Sequence, residues 1–341
     1  MNRDGRSTAS CAASQMGLVS DSEIEVAASI LRAGGLVAFP TETVYGLGAD
    51  ASNPQALRRM FAAKGRPPEH PVIVHLRGTE DLGRWTRDIP AVGQLLAEHF
   101  WPGPLTLVLQ RAVGVLDAVT GGQDTVGLRA PAHPVAQRLL QAFGGGIAAP
   151  SANRFGRVSP TTAQHVREEL GDALDLILDG GPCEVGIEST IVDLSTGAPV
   201  LLRPGRIGIA EIEAVAGLPV LRATSASPRA SGTLAAHYAP KIPLVLASSR
   251  DLERTVRGAA GPVVVLARRA RAPRSSAAQW HLAPADAQAY AHDLYAALRS
   301  FERSGCALIV VETPPEGAEW DAVRDRLTRA AAGSSMGPDG A

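Results

Sequence analysis

Apolar residues in the first two-thirds of the chain come in short runs separated by polar and turn-forming residues. LVAF (36–39), PVIVHL (71–76), PLTLVLQ (104–110), TVGLRA (125–130), LDLILD (174–179), STIVDL (189–194) and PVLLR (199–203) read as short strands. Between them, PAVGQLLAEHF (90–100), PVAQRLLQAF (134–143) and TTAQHVREEL (161–170) read as helices. A further helix is predicted over 22–33, opened by a Ser22-x-x-Glu25 capping box and closed by Gly34-Gly35. Another starts at Asn53-Pro54, with proline in its first turn, and runs to residue 63. This irregular alternation predicts one α/β domain with a mixed sheet over residues 21–222.

Residues 223–240, ATSASPRASGTLAAHYAP, break the rhythm. They are rich in Ser, Ala, Gly and Pro, the composition of a linker. Beyond them PLVLAS (243–248), PVVVLA (262–267) and ALIVVE (307–312) alternate with helical stretches near 250–258, over 284–303 and over 318–331. That is the pattern of a small parallel α/β domain, placed at residues 241–332. The polar arm 1–20 and the tail 333–341 are expected to be disordered. Two domains also suit a length of 341 residues, at about 150 residues per domain.

The formal net charge of −1 argues against a surface built to neutralise a long phosphate backbone, but leaves room for a local basic pocket. Cys11, Cys183 and Cys306 lie far apart and form no CxxC pair, so neither a disulfide framework nor a zinc site is indicated. A reducing cytoplasm is the expected setting. No apolar run reaches the ~18 residues that predict a membrane span, and residues 1–20 lack the apolar stretch of a signal peptide.

Chemistry-bearing residues gather at strand ends and in loops. In KGRPPEHPVIVH (64–75), Lys64 is notable because only two of the 33 Lys and Arg residues are lysines, Lys64 and Lys241. A compact ammonium serves a phosphate or a proton transfer differently from a guanidinium; equally, a cation is favoured at a helix C-terminus with no ligand at all. PTETVYGLGADA (40–51) offers hydroxyls for a ligand or for turn hydrogen bonds. Its Gly46-x-Gly48-x-x-Ala51 matches a dinucleotide fingerprint only loosely, beginning six residues after Pro40. Walker loops, GxSxG elbows and HExxH motifs are absent. His75 sits in an apolar run, as core histidines do. Arg129 ends an apolar strand and needs an anion, either a structural carboxylate or a ligand's. APSANRFGRVSP (149–160) carries hydroxyl, amide and guanidinium groups, although Ser159 before Pro160 also fits a helix cap.

Taken together these stretches are specific. FPTETVYGLGADA, KGRP, PVIVHL, WPGPLTLVL, VGLRAPAHP, APSANRFGRVSPT, DGGPCEVGIESTIVDL and LLRPGRI, in this order and spacing, resemble the YrdC-type L-threonylcarbamoyladenylate synthases over almost all of residues 21–210. SGTLAAHYAPKIPL and the α/β unit after it are similar to the longer, two-domain form of that family. The resemblance implies a YrdC-like twisted mixed sheet with a concave pocket, plus a small C-terminal Rossmann-like parallel domain. It implies condensation of L-threonine, bicarbonate and ATP to threonylcarbamoyl-AMP and pyrophosphate, the first step of threonylcarbamoyladenosine modification of tRNAs reading codons that start with A. Carried over by position, threonine would meet Thr43, His75, Arg129, the backbone of Ala149, and Ser189. ATP, with Mg²⁺, would meet Arg66, His70, Thr125, Ser151, Ser159, Arg203 and Tyr238, with Lys64 and Asn153 near the phosphates. Lys64, Arg66 and Arg203 would neutralise charge during reaction. The product would pass to a tRNA threonylcarbamoyltransferase complex, with transient tRNA contact allowed.

Residue chemistry is consistent with those roles. Arg129 suits a carboxylate held by two hydrogen bonds. Two anionic reactants must be held together, and their developing charge neutralised, which requires no protein nucleophile. At position 70 the family commonly has asparagine, and here it is His70, whose imidazole titrates near neutral pH. A loose linker carrying His237 and Tyr238 would close over the pocket, or act as an inert tether. Two other readings compete: an RNA-gripping concavity without chemistry, and carbamoyl transfer from carbamoyl phosphate. The missing zinc-finger cysteines and acylphosphatase region oppose the latter.

Overall fold

The structure is a computed structural model that describes residues 19–268 and 278–335. Most of the arm predicted over 1–20, with Cys11, lies outside the described residues, as does the end of the predicted tail.

The first helix, α1 (Asp21–Arg32), is capped by Ser20, two residues before the Ser22 cap predicted from sequence. The Ser20 hydroxyl accepts the Glu23 N–H at 3.2 Å, and the Ser20 N–H reaches Glu23 Oε2 at 2.8 Å. SDSEIE holds two overlapping boxes, and the earlier one prevails because it places Val19 and Ile24, both buried in one apolar cluster, on either side of the cap. α2 (Pro54–Lys64) starts at its Asn53 cap and stops at Gly65, whose φ of 61° is left-handed.

Ten strands form one mixed sheet: β1 (Val37–Phe39), β2 (Gly46–Asp50), β3 (Ile73–His75), β4 (Leu105–Gln110), β5 (Thr125–Arg129), β6 (Ile147–Ala148), β7 (Leu176–Ile177), β8 (Thr190–Asp193), β9 (Val200–Arg203) and β10 (Leu221–Arg222). Their order is β10-β9-β8-β4-β5-β3-β6-β2-β1-β7. α1 and α5 (Pro134–Phe143) cover one face. On the other lie α2, α3 (Ala91–Phe100), α4 (Asp117–Thr120), α6 (Ala163–Leu170) and α7 (Ile209–Ala216).

The glycines of GLGADA form β2 itself, paired antiparallel to β1 with Val37 opposite Gly48 and Phe39 opposite Gly46. A Cβ on Gly48 would come within 3.0 Å of both the Phe39 ring and the Val37 carbonyl. These glycines admit a neighbouring aromatic ring and make no phosphate loop, so the loose dinucleotide match is set aside.

The small lobe has four parallel strands, β11 (Leu244–Ala247), β12 (Val263–Ala267), β13 (Gln279–Leu282) and β14 (Leu308–Glu312), in the order β11-β14-β12-β13. α8 (Leu252–Arg257), α9 (Ala287–Glu302) and α10 (Asp321–Ser335) pack with them. α10 continues past residue 333, where the tail was expected to begin. An apolar cluster crosses between the lobes, uniting Val44, Val158 and Ile187 with Tyr295, Leu298 and Val323.

Residues 223–240 are tied down on both sides, contrary to a loose tether. Arg229 Nη2 donates to Gly121 O at 2.8 Å, Ala239 N to Gly156 O at 2.8 Å, and Arg329 Nη1 of α10 to Thr233 O at 2.7 Å. Small residues let the backbone lie this close. At Gly232, φ 76°, a side chain would collide with the Tyr238 hydroxyl.

Gly48→Ala is expected to destabilise the protein by about 1–3 kcal/mol through overpacking against β1. A urea midpoint equal to that of the parent would show that the ring and the strand yield without cost.

Candidate active site

Loops at one end of the large sheet enclose a cleft with about 570 Å³ of empty space, part of it open to solvent. Thr43 enters from the β1–β2 connection, and His75 and Arg129 from the ends of β3 and β5. Ala149, Ser151 and Asn153 come from the segment after β6. Lys64 and Arg66 come from the end of α2 and the turn after it, Ser189 from the residue before β8, Arg203 from the end of β9, and Tyr238 from the linker. Every one of these is a candidate from the sequence.

One side of the cleft is cationic. Lys64 Nζ donates to the carbonyls of Ser151 and Asn153, both at 2.5 Å. Burial, with Arg66 adding repulsion, depresses its pKa far below the usual lysine value. Arg66 Nη2 donates to Pro71 O at 2.8 Å while its guanidinium lies 5.5 Å from the centre of the Phe155 ring; burial brings its pKa down to about 10. Arg203 is held by carbonyls as well: Nη2 and Nε reach Ser189 O at 2.9 and 3.1 Å, and Nη1 reaches Ser231 O at 2.8 Å.

In the same cleft, Arg129 Nη1 donates to Thr43 Oγ1 at 2.9 Å and Nε to Gly103 O at 3.2 Å. Its Nη2 sits 2.7 Å from Glu42 Oε1, an ion pair lacking the alignment of a hydrogen bond. The anion that Arg129 needs is thus supplied by a structural carboxylate, and the guanidinium keeps N–H groups beyond these bonds. His75 is buried and neutral: desolvation, then Arg129, lowers its pKa to about 3. Ser189 Oγ bonds Thr106 Oγ1 at 2.8 Å and accepts from Arg203 Nη2 at 3.1 Å.

Buried polar groups are normally hydrogen-bonded, so orphans mark places where a partner is missing. Among the described residues, Arg66 Nε, His75 Nδ1, Asn153 Oδ1 and His237 Nδ1 are buried without one, and all four side chains line this cleft.

Three sequence candidates lie outside the cleft wall. Thr125 lines an adjoining hollow of about 290 Å³ of empty space, which shares Ile73 and Ser231 with the cleft. Ser159 is fully buried behind it and donates to Glu188 Oε1 at 2.5 Å. His70 stands on the loop after Arg66, its ring 5.3 Å from that of Phe155; partial burial and then Arg66 lower its pKa. Sequence reasoning missed Glu188, Glu42 and Phe155. Each lies beside or inside a quoted motif, and a carboxylate at such a position is the available signal for the first two.

The linker supplies His237 and Tyr238 as buried walls. Burial lowers the His237 pKa to about 3 and raises that of Tyr238 to about 12. Tyr238 holds φ at 61°, a left-handed conformation rare for a bulky residue. It is braced by Tyr295, 5.8 Å away, and by Arg326 over its ring at 5.2 Å.

No group of three or more His, Cys, Asp or Glu among the described residues is placed to hold a metal ion. Glu188, the only carboxylate among the described residues lining the cleft, is already bonded to Ser159, Tyr295 and Arg326. The donor set therefore offers no dedicated cage, and Mg²⁺ fits here as a companion of a phosphate substrate.

A family model described as "Telomere recombination", covering the Sua5, YciO and YrdC proteins, matches residues 29–205. A second, described as "Threonylcarbamoyl-AMP synthase, C-terminal domain", matches residues 207–332. The chain is 39% identical over 318 residues to the threonylcarbamoyl-AMP synthase of Pyrococcus abyssi, covering 90% of this chain and 94% of that protein. Its identity to the Bacillus subtilis enzyme of the same name is 40% over 326 residues, covering 92% and 94%. The fold matches the crystal structure of Pyrococcus abyssi Sua5 complexed with L-threonine at a TM-score of 0.85 and 37% identity, covering 92% of this chain and 96% of that one. A doubly substituted form of the same archaeal protein matches at 0.85 and 36%, covering 92% and 94%. The chain belongs to the Sua5–YciO–YrdC family in its two-domain form, and is an enzyme of the threonylcarbamoyl-AMP synthase kind.

Proposed function

We propose that this chain condenses L-threonine, bicarbonate and MgATP to threonylcarbamoyl-AMP, pyrophosphate and water. The observation that carries the reading is one cleft lined both by Arg129, Thr43, His75 and Ser189 and by Lys64, Arg66 and Arg203. A Pyrococcus abyssi relative with the same fold has been crystallised with L-threonine, which supports placing the amino acid here.

Threonine's carboxylate would take the spare N–H groups of Arg129. Its hydroxyl and ammonium would meet Thr43, Ser189, the open nitrogen of His75 and the Ala149 carbonyl, since the Ala149 N–H is engaged by Ile73 O at 3.0 Å. The ATP phosphates would lie toward Lys64, Arg66, Arg203, Ser151 and Asn153, with Tyr238 as the linker wall. The nucleoside would lie toward the hollow beside Thr125. Ser159 would act through Glu188.

Threonine's ammonium first gives up a proton to solvent. The free amine then attacks the carbon of CO₂ and releases a second proton, or attacks bicarbonate with loss of water, giving an N-carboxylate in either case. A carboxylate oxygen then attacks the α-phosphorus as the bond to pyrophosphate breaks. The chain's part is to hold two anions in line and neutralise charge as it develops. The linker closing the cleft would protect the mixed anhydride from hydrolysis. Downstream, the product would pass in the cytoplasm to a tRNA threonylcarbamoyltransferase complex, for tRNAs that read codons starting with A. A transient tRNA contact would be compatible with that handover.

Pyrophosphate release should require ATP, threonine and bicarbonate together. Release that continues with threonine omitted would sink the reading. Lys64→Ala should lower threonine-dependent turnover about 100-fold or more, with the circular dichroism spectrum unchanged. Near-parental turnover would remove Lys64 from the machinery.

Protonated His70 would favour the phosphates, so ATP affinity should fall as pH rises through the His70 pKa. Because burial and Arg66 depress that pKa, the midpoint of the fall should lie below about pH 6.5, the ordinary histidine value. ATP titrations of the parent and His70→Asn from pH 5 to 8 check this. The slope below neutrality should be lost in His70→Asn.

A further inference from the structure

Glu188 is the only carboxylate among the described residues lining the cleft, and it stands beside cations that would bind a triphosphate. An anion there opposes ATP and competes for Arg203. The small lobe keeps it occupied. Glu188 Oε2 accepts from Arg326 Nε at 2.8 Å and from the Tyr295 hydroxyl at 2.9 Å, while Oε1 accepts from Ser159 at 2.5 Å. Arg326 is fully buried on α10, and its Nη1 reaches Asp325 at 2.7 Å. Arg203 makes its hydrogen bonds to Ser189 and Ser231.

We propose that Arg326 is a positioning residue for the nucleotide: by holding Glu188 it prevents that carboxylate from capturing Arg203 and keeps the cleft cationic. The inference rests on the ATP reading above. It gives the small lobe a part in the reaction, through one buried ion pair that reaches the back of the cleft.

Removing the guanidinium would leave a buried carboxylate whose nearest remaining cation is Arg203. Burial raises the Glu188 pKa, and Arg326 foremost, then Arg203 and the Ser159 bond, bring it down to about 2, with the Tyr295 hydroxyl also donating to the carboxylate. Without Arg326 it must rise, so Glu188 would discharge as the medium becomes more acid, and ATP binding would recover. The charged and titratable groups around Glu188 are Arg326 and Asp325 on α10, Tyr295 on α9, Arg203 on β9, and His237 and Tyr238 on the linker. His237 is held neutral by its pKa of about 3 and Tyr238 by one of about 12, so neither changes charge near neutral pH.

The test is the KM for ATP in threonine-dependent pyrophosphate release by the full chain. Arg326→Gln should raise it about tenfold or more, and the rise should shrink as the medium is made more acid. Glu188→Gln combined with Arg326→Gln should restore it to within about threefold at every pH. A parental KM in the single variant, or equal losses in single and double, would overturn the inference, the latter because it marks a packing role. Should the single variant fail to fold, Arg326→Lys keeps the charge. A folded Arg326→Lys with a KM raised tenfold overturns the inference, and one within threefold supports it. If the unaltered protein releases no pyrophosphate with threonine, the functional reading fails instead, so the two failures are distinct.

Discussion

Four basic side chains, Lys64, Arg66, Arg129 and Arg203, are buried in one cleft, and among the described residues three of them have no carboxylate ion-pair partner. Charge in a dry interior is costly unless something solvates it. A carboxylate beside each would lower the cost, but would occupy the valence that an anionic substrate needs. Main-chain carbonyls take that place. Those of Ser151 and Asn153 hold Lys64, those of Ser189 and Ser231 hold Arg203, Pro71 holds Arg66 and Gly103 contributes to Arg129. Dipoles compensate only partly, and the depressed pKa values of Lys64, Arg66 and Arg203 register the remainder. Of the four, Arg129 alone has a carboxylate partner among the described residues, Glu42.

Aiming carbonyls inward requires loops that bend at set points, and these loops need support from outside the sheet. Ser231 belongs to the linker, so one of the acceptors of Arg203 exists only when residues 223–240 lie across the cleft. Tyr238 holds a left-handed backbone there, a conformation that persists only when its surroundings over-determine it. Those surroundings are Tyr295 and Arg326 of the small lobe, set in an apolar cluster shared by both lobes. The small lobe is therefore part of the wall of the cleft, and the strain at Tyr238 is held by burial elsewhere.

The strands legible in the sequence were those buried in long apolar runs, such as LTLVLQ and VVVLA. The ones that escaped notice have physical reasons. GLGADA lacks β-branched residues because Phe39 packs across its glycines. β6 and β10 are two residues long, below the length at which alternation can be counted, whereas the equally short β7 lies within the apolar run LDLILD. β13 is an edge strand, mostly exposed. Within the site, cations and hydroxyls at strand ends were readable one by one. The carbonyls that hold them were not, since every residue has one and only the fold selects which point inward. The linker misled through composition: Ser, Ala, Gly and Pro indicate flexibility when free, and close packing when both sides offer partners.

The same principle accounts for a lysine at position 64 in a chain that otherwise relies on arginine. Its ammonium meets two carbonyls belonging to residues two apart in one bent segment, each at 2.5 Å, while Phe155 N bonds the Lys64 carbonyl at 2.8 Å and fixes that segment against α2. A tetrahedral ammonium can satisfy two acceptors that converge on a point and still direct a third N–H elsewhere. A planar guanidinium needs its acceptors spread along the edges of a fork, which is how Ser189 O and Ser231 O address Arg203. Converging carbonyls select lysine, spread ones select arginine, and the curvature of the loop after β6 decides which is met at Lys64.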